Sequence, residues 1–184
     1  MTNVDSKKIK LDSLHERHSG LTPSLSGSFF EAASVCLSRH HSSPVQIEIT
    51  RDGGATNRAL EFQRPDDRML NAWANAIDAT ENGAYGMSLA AVEVEEQMVA
   101  IRRAETLTGA DWYIAPIGTK PVDLEDSFRL EVSGVDAGDR TVVEARLREK
   151  IAQTRRGASN LPAIASVVGF KGKAIAMQRV SNAK

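Results

Sequence analysis

Residues 105–133 decide the predicted fold, and they read ETLTGADWYIAPIGTKPVDLEDSFRLEVS. The pattern indicates the end of a long helix, a strand over residues 111–117, a loop with turn signals and a second strand over residues 127–133. Carboxylates stand at the junctions of these elements: Glu105, Asp111 and Glu131. Because a lone buried carboxylate is costly, acidic side chains that point inward at element ends indicate a stabilising partner, and a metal ion is one such partner.

The side-chain periodicity predicts where these carboxylates point. A helix is predicted over residues 88–106 because apolar residues recur there at helical spacing, namely Ala91, Val94, Met98 and Ile101. Glu105 occupies the next position of that stripe and is expected to face the core. In the second strand the side chains alternate between faces, so Arg129, Glu131 and Ser133 are expected together on one face.

The fold class that these patterns predict is α/β, with α+β character and a mixed sheet. The stretch is preceded by a helix, a β-hairpin and a second helix, and it is followed by a helix and two strands. The pattern predicts bounds for a helix over residues 23–40, a hairpin over residues 45–63, a helix over residues 140–156, and strands over residues 163–170 and 174–180.

One domain is expected, because 184 residues with 41% hydrophobic content are enough for a single core. Residues 1–20 are polar, lack a clear period and are expected to form a flexible N-terminal arm. Residues 21–184 are expected to form the domain, with a helix-hairpin-helix part over residues 21–87 and a core over residues 88–184.

The location that the composition favours is the cytoplasm. The single cysteine, Cys36, excludes an intramolecular disulfide framework and is typical of a reducing compartment. It stands in an apolar run and is expected to be a small core residue rather than a nucleophile. No run of the sequence is apolar enough to span a membrane, and the polar N-terminus is not expected to act as a signal peptide.

The charge is distributed unevenly along the chain. Residues 140–184 carry ten Lys and Arg and two Glu, a net charge of +8, whereas the remaining residues carry −9. A basic C-terminal segment beside an acidic remainder indicates a face that binds a polyanion such as DNA. The alternative is that the two parts neutralise each other in the folded protein.

The order of elements and acids resembles the core of the PD-(D/E)XK nuclease superfamily, which has the restriction-endonuclease-like fold. The resemblance covers residues 88–170, as helix, strand, strand, helix and strand. It implies that Asp111 is the metal-binding Asp of the first strand, that Glu131 is the acid of the (D/E)XK motif, and that Glu105 is the acidic residue of the core helix. It also implies Mg²⁺ or Mn²⁺ as cofactor and DNA phosphodiester bonds as substrate. The GADWY and RLEVS stretches are also similar to those of small bacterial proteins.

One motif position departs from this family. The pattern asks for Lys two residues after the strand acid, where this chain has Ser133, which supplies no cationic charge. Lys150 of the following helix is the candidate replacement, and Arg129 is the second. The expected catalytic set is therefore Asp111, Glu131, Ser133 and Lys150. The residues expected to bind nucleic acid are Arg129, Arg146, Lys150, Arg155 and Arg156.

Each carboxylate also has a structural interpretation. Asp111 is at a position to cap a turn after Gly109. Glu131 is at a position to pair with Arg129 or with a helix arginine on a solvated face. Glu105 is close enough in sequence to pair with Arg102 or Arg103 at a helix end. The alternative function is accordingly a non-catalytic, nuclease-like interaction subunit of a bacterial protein complex.

Overall fold

A computed structural model describes residues 8–120, 122, 124–157 and 159–181. The strands are β1 (Lys8–Ile9), β2 (Val45–Arg51), β3 (Gly54–Leu60), β4 (Met98–Arg103), β5 (Trp112–Pro116), β6 (Phe128–Val135), β7 (Ala163–Gly169) and β8 (Ala174–Val180). The α-helices are α1 (Pro23–Ser38), α2 (Asp67–Ala72), α3 (Ala76–Glu96) and α4 (Arg140–Arg156). The strands form one mixed sheet in the order β1-β3-β2-β8-β7-β6-β5-β4, so the expected mixed α/β class is confirmed.

The core lies on both faces of this sheet. On one face, α1 and α3 pack on strand residues that include Leu130, Val132 and Ile164. On the other face, α4 covers β6, β7 and β8 through two smaller clusters, with Val143 and Ile151 as its buried residues. Because successive side chains of a strand point to opposite faces, the same strands contribute to both cores.

The segment from α3 to β7 positions the residues of interest. Strands β4, β5 and β6 follow each other as an antiparallel meander, and α4 then carries the chain back so that β7 pairs with β6 in parallel. Strand β5 pairs with only the first three residues of β6, from Phe128 to Leu130. The rest of that edge of β6 faces α3. The helix approaches closely because Gly134 has no side chain: a Cβ there would lie 2.6 Å from the carbonyl oxygen of Thr80.

The helix predicted over residues 88–106 is wrong in its bounds. Helix α3 begins at Ala76 and ends at Glu96, Gln97 adopts a left-handed conformation with φ of 56°, and β4 follows at once. The apolar residues of β4 are buried on both faces, and their spacing coincides with a helical stripe. Gly83 and Gly86 lie inside α3, although glycine is a weak helix former. A Cβ at either position would lie 3.0–3.1 Å from atoms of α1 or Phe170, so these glycines permit close helix packing instead.

The N-terminal segment also differs from the expected flexible arm. Strand β1 pairs with β3 in parallel, and Ile9, Leu11 and Leu14 are buried in the main core. Residues 1–7 of the expected arm lie outside the described residues. The expected helix α1, the hairpin of β2 and β3, helix α4 and the last two strands are confirmed within a few residues. Across the described ranges, no helix has the length and apolar character needed to traverse a lipid bilayer.

Candidate functional site

A groove opens where β6 loses its pairing with β5. The near part, of about 510 Å³, lies between the first turns of α3, the free edge of β6 and α4. The far part, of about 710 Å³, lies between the β4–β5 loop, residues 104–111, and the last turns of α4. Asp111 and Lys150 line both parts, so we treat them as one feature, the sheet-edge groove.

Asp111 stands at the centre of the sheet-edge groove, immediately before β5. Its backbone N–H donates to the carbonyl oxygen of Leu130 at 2.8 Å. Its Oδ2 accepts the backbone N–H of Val132 at 2.8 Å, and its Oδ1 accepts from the hydroxyl of Tyr85 at 2.9 Å. The carboxylate therefore continues the β5–β6 ladder by one hydrogen bond beyond the end of β5, and its position is fixed by the sheet.

Glu131 and Lys150 form a shielded ion pair in the same groove. The Nζ of Lys150, on α4, donates to Oε1 of Glu131, on β6, at 2.7 Å. The side chain of Glu131 is 6% exposed and that of Lys150 is 18% exposed. Desolvation raises the pKa of Glu131, the hydrogen bond from Lys150 opposes that rise, and the nearby charge of Asp111 adds to it. Lys150 thus lies beside Glu131 in the groove, and Ser133 lines the groove two residues beyond Glu131.

Glu105 does not occupy the position predicted for it. It lies in the loop after β4 rather than on a helix, and its side chain is 53% exposed. Arg102 pairs with it at 2.5 Å and the hydroxyl of Tyr113 donates to it at 3.1 Å, so the alternative pairing with Arg102 is what the structure has. Glu105 lies at the far end of the groove, away from the part between α3 and α4.

The core helix contributes a different acid, Glu81. The hydroxyl of Tyr85 lies 2.8 Å from Oε1 of Glu81 and 2.9 Å from Oδ1 of Asp111. A hydroxyl has one proton and donates to one of these carboxylates at a time. Burial, together with the charge of Asp111, raises the pKa of Tyr85, so the hydroxyl keeps that proton at neutral pH. The sequence pattern does not single out Glu81, because the residue lies before the helix predicted over residues 88–106, whereas α3 begins at Ala76.

Arg103 is a further cation that the sequence did not single out. Its guanidinium carbon lies 4.6 Å from the ring centroid of Tyr85 and 4.9 Å from that of Trp112. Its Nη2 donates to the hydroxyl of Tyr85 at 3.1 Å and lies 3.7 Å from Oδ1 of Asp111. Arg103 lies opposite Trp112 in the β4–β5 pair. The sequence pattern does not indicate this pairing, because it predicts a helix for the residues of β4.

The other cations expected to bind nucleic acid divide into two groups. Arg146 lines the near part of the groove and Arg156 lines the far part, while Arg155 is exposed in the last turn of α4. Arg129 corrects the expectation, because it is completely buried. Its guanidinium donates to backbone carbonyls of three segments: Thr108 at 2.9 Å, Leu161 at 3.1 Å and Thr154 at 3.2 Å. It therefore holds loops together and is not available to a ligand.

The groove has the donor types that a hard divalent cation prefers, but no complete cage. Within the described ranges, no group of three or more His, Cys, Asp or Glu side chains converges closely enough to hold a metal ion. The donors that face the groove centrally are the carboxylates of Asp111 and Glu131. Mg²⁺ is commonly held by one or two carboxylates, with waters and substrate phosphate oxygens completing the shell, so this donor set is compatible with Mg²⁺ bound together with a phosphate.

The chain matches no protein-family model, and no match is found among curated proteins or solved structures. The assignment of a function therefore depends on the chemistry of the sheet-edge groove.

Proposed function

We propose that the protein is a metal-dependent, nuclease-like enzyme that hydrolyses DNA phosphodiester bonds in the sheet-edge groove. The observation that carries the proposal is the convergence of Asp111 and Glu131, from neighbouring strands, in one groove with the ammonium of Lys150 2.7 Å from Glu131. Two carboxylates and a cation are the groups that phosphodiester hydrolysis with a hard metal ion requires.

The order of elements supports a restriction-endonuclease-like core over α3 to β7. Asp111 precedes the middle strand of the meander, Glu131 lies on the next strand, and the basic helix α4 follows before β7. This is the order on which the resemblance rests, with β4 as an added first strand. Lys150 supplies from α4 the positive charge that Ser133 does not supply from β6.

The roles of the residues follow from their positions. Asp111 and Glu131 would hold Mg²⁺, which when bound supplies an activated water and stabilises charge on the phosphate. Tyr85 and the Val132 N–H orient the carboxylate of Asp111. Lys150 carries three N–H donors, of which one meets Glu131 and a second meets Oε1 of Gln153 at 3.3 Å, so its ammonium keeps one donor for a phosphate oxygen. Arg146 and Arg156 flank the groove and attract the DNA backbone.

Cleavage of supercoiled plasmid DNA in the presence of Mg²⁺ tests the proposal. We expect Glu131→Ala and Asp111→Asn to abolish cleavage while the far-UV circular dichroism of the variants matches that of the wild type. Glu61→Ala is the control, because it removes a carboxylate that is 71% exposed just after β3 and lies outside the groove, and it should retain activity. Cleavage that survives Glu131→Ala rules out the assignment.

A second function, a non-catalytic subunit of a protein complex, is favoured by one observation. Each central carboxylate already faces a protein cation, Glu131 facing Lys150 and Asp111 facing Arg103. A groove neutralised in this way is stable without a metal. Calorimetric titration with Mn²⁺ separates the two functions: binding that is lost in Asp111→Asn supports the enzyme, and no binding to the wild type supports the subunit.

A further inference from the structure

The β4–β5 loop carries a strained turn at the rim of the sheet-edge groove. The N–H of Thr108 donates to the carbonyl oxygen of Glu105 at 3.4 Å and closes a four-residue turn whose third residue is Leu107. Leu107 has a φ of +74°, in the left-handed region that Gly or Asn usually occupies at this position of a turn. Its side chain is 86% exposed, so packing within the chain does not compensate the strain.

The surroundings of the turn hold it in this conformation. The hydroxyl of Thr108 donates to the carbonyl oxygen of Glu105 at 2.8 Å, and the carbonyl oxygen of Thr108 accepts from the buried Arg129 at 2.9 Å. The carboxylate of Glu105 is fixed by Arg102 and Tyr113. An unfavourable backbone conformation that several neighbours enforce indicates a functional constraint at that residue.

The position of Leu107 indicates what it meets. It lines the far part of the groove together with three cations, Arg103, Lys150 and Arg156, and three carboxylates, Glu105, Asp111 and Glu131. An exposed apolar side chain therefore stands beside groups that bind a phosphate directly or through a metal ion. A nucleic acid strand has the complementary arrangement, because its phosphates are anionic and its bases present apolar faces and edges. Proteins also use apolar side chains as wedges against bases beside phosphate-binding cations.

We propose that Leu107 contacts a base of the DNA strand that occupies the groove, next to the phosphate bound at Lys150. This inference rests on the proposed function, because it takes DNA as the ligand. The strained turn serves to present the side chain toward the groove, and Leu107 acts as a positioning residue that does not touch the reacting atoms.

Leu107→Gly separates this role from a structural one. Glycine adopts a positive φ without strain, so the midpoint of urea unfolding should stay unchanged or rise. Loss of a base contact should weaken binding of a fluorescein-labelled single-stranded oligonucleotide about tenfold, because the Leu side chain loses its burial, and plasmid cleavage should fall in parallel. Cleavage of bis(p-nitrophenyl) phosphate, a small diester without a base, should be unchanged. Ile117→Ala, which trims a residue 59% exposed just after β5, is the control and should behave as the wild type.

Each outcome of this experiment is informative. A Leu107→Gly protein that binds the oligonucleotide as the wild type does overturns the inference, and a wild type that binds no DNA overturns both this inference and the proposed function. If the wild type binds the oligonucleotide but cleaves neither substrate, only the proposed nuclease activity is refuted. A tenfold loss of binding in Leu107→Gly then still supports the base contact.

Discussion

The ion pair between Glu131 and Lys150 leads to a prediction about stability that requires no enzymatic activity. The carboxylate of Glu131 is almost fully shielded, and the Nζ of Lys150 lies 2.7 Å from it. Lys150→Met keeps an unbranched side chain of similar length on α4 and removes the charge. Glu131 then stays in the same buried position without this hydrogen bond and without this cation.

The expected penalty follows from the burial of the pair. Removing one partner of a buried ion pair typically costs about 3–5 kcal/mol, because the other charge stays desolvated and uncompensated. Lys150 keeps some exposure, so water can replace part of the lost interaction, and we expect Lys150→Met to lower the free energy of unfolding by about 3 kcal/mol at pH 8.

The pH dependence has a defined sign. Desolvation already raises the pKa of Glu131 above its ordinary value of 4.5, and loss of Lys150 raises it further. A carboxyl group whose pKa is higher in the folded protein binds more protons there than in the unfolded chain, so stability falls as pH rises from the unfolded pKa through the folded pKa. The penalty of Lys150→Met should therefore be largest at pH 8 and should shrink as the pH approaches 4.5.

Urea unfolding at pH 5 and pH 8 measures this effect in a double-mutant cycle with Glu131→Gln. The neutral amide does not need the cation, so Lys150→Met should cost much less in the Glu131→Gln background, with a coupling energy of about 2 kcal/mol. Arg155→Met, an exposed change on the same helix, is the control and should alter stability by less than about 0.5 kcal/mol. Additive effects, or an equal penalty for Lys150→Met at both pH values, would refute the reasoning.

Two further predictions concern the other cations near the groove. Arg129→Met leaves the carbonyl oxygens of Thr108, Thr154 and Leu161 without this donor. We therefore expect the free energy of unfolding, measured in urea, to fall by about 3 kcal/mol and hydrogen exchange in the β4–β5 loop to become faster. Unchanged exchange in this loop would contradict the role of Arg129 in holding these segments together. Arg103→Gln removes a cation from the rim of the groove, so the slope of log affinity for DNA against log salt concentration should fall by about one; an unchanged slope would place Arg103 outside the DNA contact.

Much of the fold could be predicted because its signals are local. Thr22 accepts the N–H of Leu25 as a helix cap, Asp139 caps α4 in the same way, and the Asp52-Gly53-Gly54 turn joins β2 to β3. The boundary between α3 and β4 has no such signal. The residue that ends α3 in a left-handed conformation is Gln97 rather than the usual Gly or Asn. The continuation of α3 through Gly83 and Gly86 depends on close packing against Ala33 and Phe29 of α1, a contact between distant segments that periodicity does not reveal.

The same distinction explains what could be predicted of the site. Alternation along β6 placed Glu131 and Ser133 correctly in register, and the helical stripe of α4 brought Lys150 to the margin that faces the sheet. Glu105 was misplaced because the helix assigned to it ends at Glu96. Glu81 approaches Asp111 only through the tertiary contact of α3 with the free edge of β6.

The charge balance of the groove connects these observations with the choice between the two functions. A divalent ion held by Asp111 and Glu131 would compete with Arg103 and Lys150 for the same carboxylates, because each cation now faces one of them. If the groove binds metal, Lys150→Met should therefore tighten Mn²⁺ binding in calorimetry while it weakens DNA binding, since the ammonium opposes the first ligand and attracts the second. A structural ion pair in a non-catalytic subunit would give neither change. Opposite shifts of the two affinities in one variant would thus favour the nuclease, and absent shifts would favour the subunit.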